Sequence, residues 1–122
     1  MNLTMACIFG LLQNAAGEVE REIKPRLGGL AGFLITGYLP QTWVFQTEEG
    51  VITLTVDSRG NAGVASGTPP SRDVTISTTH AVLSAALRYR DRSRVPAGPL
   101  KVTPHTPKGQ TAFNFLRGRF GL

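Results

Sequence analysis

Two histidines, one cysteine and four scattered carboxylates are the side chains of this sequence that could do chemistry. A metal centre would need His80 or His105 at H-x-x-x-H spacing, or Cys7 in a C-x-x-C pair, and neither pattern occurs. A nucleophile elbow needs G-x-S-x-G, but in "GVASG" (63–67) the serine stands one place late. "GNAG" (60–63) opens no helix, so it reads as a turn and not as a phosphate cradle. An acid–base pair would have to come from Glu48, Glu49, Asp57 and Asp73. All four fall at strand ends or turns, where solvated carboxylates are ordinary. The expectation is a protein that is not an enzyme and uses no metal or cofactor.

Charge points to binding without naming a partner. The formal net charge is +5, which suits nucleic acid, anionic lipid or an acidic protein equally. The basic residues are dispersed except for Arg88, Arg90, Arg92 and Arg94. That run reads either as a surface that docks on anionic membranes or as a solvated helix end, where cations also suit the helix dipole. A single cysteine excludes an internal disulfide and points to a reducing, cytoplasmic setting. The apolar stretches 3–12 and 27–39 are both too short to span a bilayer. The first is followed by "QNAAG", as a signal peptide would be, but lacks a basic leader and reads as a helix.

The elements that must carry these residues fit a single domain of 122 residues, with an apolar helical segment over 1–40 and a sheet with helices over 41–122. A helix is expected over 2–16, interrupted at Gly17, resumed in "EVEREI" and broken at Pro25. Beyond it, Leu27, Leu30, Leu34 and Tyr38 follow a helical face through a glycine-rich stretch. From Gln41 the apolar period changes to two. Strands are expected over 42–48, 51–57, "AGVAS", 73–77 and 100–104. A helix over about 79–91 follows a hydroxyl-rich N-cap. Val82, Leu83, Ala86 and Tyr89 form its apolar stripe, and His80, Ser84, Arg88 and Asp91 its polar one. Thr106-Pro107 opens a terminal helix to about 118, with Ala112, Phe113 and Leu116 on one face. The fold class is α+β: a five-stranded, mostly antiparallel sheet with helices packed on one face.

Helices and sheet of this kind either fill their common core or leave an apolar cavity. From about Thr42 onward the chain resembles the sterol carrier protein 2 family of lipid-binding domains. The likeness rests on "TWVFQTEEG", "VITLTVDSRG", a small-residue strand, "DVTISTTHAVLSAAL", "GPLKVTPHTPKG" and "QTAFNFLRG", in that order. The resemblance implies a non-enzymatic carrier of a fatty acyl or other lipid ligand, held between sheet and helices. Leu34, Val82, Leu83, Ala86, Phe113 and Leu116 would be its apolar lining. Two alternatives stay open: a basic nucleic-acid-binding module, or a scaffold subunit whose groove takes a protein helix. The first is the less favoured because Trp43 and Phe45 lie on the face that reads as buried.

Overall fold

The computed structural model describes residues 3–27 and 37–117, apart from the side chains of Phe115 and Leu116. Leu34 therefore lies outside the described residues, as does the side chain of Leu116.

The first element, α1 (Leu3–Leu27), runs unbroken through both expected interruptions. Met5, Ile8, Leu12, Ala15, Ala16 and Val19 form one buried stripe that continues on either side of Gly17. A mid-helix glycine costs about 1 kcal/mol. Each large side chain in the stripe returns about 1.5–3 kcal/mol on burial, so packing wins. Pro25 falls in the last turn, where it removes one hydrogen bond near an end instead of splitting a helix.

The sheet contains β1 (Gln41–Thr47), β2 (Gly50–Val56), β3 (Ala62–Ser66), β4 (Val74–Thr78) and β5 (Leu100–Pro104), in spatial order β3-β2-β1-β4-β5. Three neighbouring pairs are antiparallel, whereas β1 and β4 run parallel. Register sets Trp43 between Leu54 and Val74, and Phe45 between Ile52 and Ile76. Alternation then gives an inner apolar face and an outer face bearing Thr42, Val44, Gln46, Thr53, Thr75 and Ser77. The β3 edge is partly covered, because the Glu20 carboxylate of α1 accepts the Ala62 N–H at 2.9 Å.

Two further helices complete the domain. In α2 (His80–Tyr89), Thr79 is the N-cap, its hydroxyl accepting the Val82 N–H at 3.1 Å. In α3 (Pro107–Leu116), Thr106 caps with Pro107 in the first turn, as the sequence led us to expect. Side chains from α1, from α2 (Leu83, Ala86, Leu87) and from α3 (Phe113) share one core with the inner sheet face. The fold is thus α+β with its helices on one side of a mixed sheet.

Candidate functional site

The residues expected to line a cavity separate into two groups. Leu83 and Ala86 are fully buried in the shared core, and Phe113 packs there against Trp43 with ring centroids 5.9 Å apart. Val82 is buried elsewhere, beneath the loop before β5, where a Cβ added at Gly98 would come within 2.8 Å of its Cγ2.

Open volume lies between α1 and the C-terminal end of α2. A cleft of about 260 Å³ is lined by Leu11, Asn14, Glu18, Leu87, Arg88 and Arg90. Leu11, Asn14 and Glu18 recur at helical spacing and share a face of α1. The other wall arises from how α2 ends. Arg90 adopts a left-handed conformation (φ 55°), and its N–H caps the Ala86 carbonyl at 2.9 Å. Glycine is the usual residue for such a cap. Here the side chain compensates: the Arg90 guanidinium donates to the Leu87 carbonyl at 2.8 Å and to Glu18 at 2.7 Å. That ion pair joins the two walls across the cleft. Arg88 projects from the same wall, and its hydrogen bond among the described residues is a weak one, to Cys7 Sγ at 3.5 Å.

The cleft therefore has apolar surface at Leu11, with Leu87 nearly buried at its floor, and an uneven electrostatic rim, with two guanidinium groups against one carboxylate. A carboxylate or phosphate oxygen would be a stronger partner for Arg88 than a thiol is. Chemically the arrangement can hold an anionic group at Arg88 beside the apolar surface of Leu11.

The run of four arginines is divided by the fold. Arg88 and Arg90 turn toward α1, while Arg92 and Arg94 sit in an exposed 3-10 turn, Arg92–Arg94. Asp91, expected on the polar stripe of α2, instead caps that turn, its carboxylate accepting the Ser93 N–H at 3.0 Å. Tyr89, expected on the apolar stripe, is 41% exposed, with the Arg94 guanidinium 3.8 Å from its ring centroid. It is the last residue of α2.

The histidines occupy separate places. The His80 N–H opens α2 and donates to both Glu48 carboxylate oxygens at 3.0 Å, while its Nδ1 is shielded from solvent without a partner among the described residues. His105 Nε2 lies 2.8 Å from Thr75 Oγ1 on the outer sheet face, with the Arg72 guanidinium 3.4 Å from the same oxygen. No group of three metal-ligating side chains occurs among the described residues. None of the described helices is long and apolar enough to cross a membrane. Trp43 and Phe45 face the helices and are 2% and 1% exposed, so neither offers a stacking platform for a nucleic-acid base.

Sequence reasoning missed Leu11, Asn14, Glu18 and Leu87. The first three become one face only when the helix is carried through Gly17, and that continuity is the signal that could have found them. Compared with protein-family models and with curated proteins, the chain matches none.

Proposed function

We propose that this protein is a non-enzymatic binding domain for an amphiphilic, lipid-like ligand, which it carries or presents in the α1–α2 cleft. The observation that carries this reading is the cleft's combination of the partly buried Leu11 with an Arg88 guanidinium engaged only weakly by a thiol. The order of strands and helices from Thr42 onward is the order on which the resemblance to sterol carrier protein 2 rests, and it supports the same reading. The cleft, at about 260 Å³, lies just under the size of common small-molecule sites, roughly 300–1,000 Å³. It suits an acidic head and the first carbons of a chain, with each further buried methylene adding about 0.8 kcal/mol. In this reading the ligand lies along α1, beside the open volume, while Leu83 and Ala86 belong to the buried core. A reducing, cytoplasmic setting accompanies this reading, in keeping with Cys7 as an exposed free thiol.

Uptake of a fluorescent fatty acid, together with mass spectrometry of the protein as purified, tests it. Wild type should bind the probe, and Arg88→Gln should weaken binding about 10-fold or more, the equivalent of one charge-assisted hydrogen bond. Failure of wild type to take up the probe, with no co-purified amphiphile, would sink the reading.

A further inference from the structure

We infer that the outer surface of α2 and of the segment following it, residues 88–100, docks the domain on an anionic lipid bilayer. The inference rests on the cleft reading for its purpose, since Tyr89 stands between the cleft residues Arg88 and Arg90 in sequence. Its geometry is carried by other side chains.

The segment is ordered by its own hydrogen bonds. Asp91 accepts from the Ser93 N–H at 3.0 Å and from the Ser93 hydroxyl at 2.8 Å, and the Arg94 N–H returns to the Asp91 carbonyl at 3.0 Å. The chain then runs back along α2, reaching Val82 at Gly98, and the Thr78 hydroxyl fixes the Pro99 carbonyl at 2.7 Å. Asp91 is the only acid between residues 88 and 99, against four arginines, so the segment carries an excess of positive charge. Two of the exposed large hydrophobic residues bracket the segment: Tyr89, 41% exposed, and Leu100, 37% exposed. Pro96, Ala97 and Pro99 between them are also exposed.

Cations interleaved with an exposed tyrosine, an exposed leucine and prolines match the boundary between lipid headgroups and acyl chains. Arginines there meet anionic headgroups, while Tyr89 and Leu100 reach the apolar layer. A nucleic acid would engage the arginines but would have no use for Leu100. Docking in this orientation brings the rim of the cleft to the membrane from which an amphiphile would be drawn.

Co-sedimentation of the full chain with phosphatidylcholine vesicles, with and without phosphatidylserine, tests the inference. Wild type should bind only the phosphatidylserine vesicles and should be released by salt. Arg92→Gln with Arg94→Gln should weaken binding roughly 30-fold, because each basic residue at such a surface contributes on the order of fivefold, or about 1 kcal/mol. Lys24→Gln with Arg59→Gln, which removes equal charge from exposed positions beside the Gly60 turn, should bind nearly as wild type does. Melting temperatures of both variants establish that they are folded. Equal loss in the two double variants, or no preference of wild type for phosphatidylserine, overturns the inference. So would oligonucleotide binding that disappears in the Arg92/Arg94 variant while vesicles remain unbound. Uptake of fluorescent fatty acid in vesicle-free solution reports on the cleft alone, so either proposal can fail without the other.

Discussion

The Thr106 hydroxyl donates to Asp73 Oδ1 at 2.7 Å while accepting the Gly109 N–H at 3.0 Å, so one side chain caps α3 and ties it to the start of β4. The other Asp73 oxygen accepts the Thr42 N–H at 2.9 Å. Its backbone extends the same junction, donating to the Thr42 carbonyl and accepting from the His105 N–H, each at 2.7 Å. Four elements therefore meet at one residue that is 7% exposed. Gly109 belongs to the junction as well, because a Cβ there would collide with the Asp73 carbonyl.

Asp73→Ala should accordingly lower stability by about 2–3 kcal/mol, since hydrogen bonds to charged groups contribute about 1.5–3 kcal/mol and two part-buried donors would lose their acceptor. The urea midpoint should fall with little change in slope. Asp73→Asn, which keeps an acceptor, should lose less.

Glu48 should contribute to acid sensitivity. Its carboxyl is held below the ordinary glutamate value by a hydrogen bond from its own backbone N–H and then by the His80 N–H at the start of α2. Asp57, bonded chiefly to the Asn61 side chain, and Asp91, bonded chiefly to the Ser93 hydroxyl, are shifted the same way. A carboxyl with a depressed folded-state pKa contributes stability that is complete above its unfolded pKa and disappears as pH falls through the folded value. Melting temperature should be flat near neutrality and decline below the ordinary carboxylate range, with a shallower decline in Glu48→Gln. Identical pH profiles for the two proteins would remove Glu48 from this account.

Two tryptophan substitutions should separate core from cleft. Ala86 is fully buried, so Ala86→Trp should overpack the core and cost about 1–3 kcal/mol, seen as a lower melting temperature. Leu11 is only partly buried and borders open volume, so Leu11→Trp should leave melting nearly unchanged while blocking uptake of a fluorescent fatty acid. The reverse pattern would mean that the open space lies against the sheet.

Much of the sheet was legible because alternation is a local signal. Trp43, Phe45, Ile52, Leu54, Val74 and Ile76 all face the core that their spacing indicates. Hydroxyl caps were equally readable, as at Thr79 and Thr106. Gly17 and Pro25 read as breaks on propensity alone, and the packing of α1 overrides that propensity. The parallel β1–β4 pairing was invisible, since two alternating strands look the same whichever way they run. The cleft was hidden for a related reason: it depends on Arg90 taking a left-handed turn that arginine rarely adopts, and on Glu18 standing opposite, 72 positions away. Leu34, named from the same helical periodicity, lies outside the described residues.

That parallel pairing also bears on how the chain assembles as it is made. Synthesis delivers β1, β2 and β3 together, and they can close as a local meander. The free side of β1 must then wait for β4, whose Asp73 meets Thr42 across 31 positions. During that interval the middle strand of the finished sheet is an edge, with bare backbone donors and acceptors beside the aromatic side chains of Trp43 and Phe45. Such an edge can template pairing with another chain. The hazard of misassembly is therefore concentrated in the time between translation of residue 47 and arrival of residue 78, and closes when β4 takes its place.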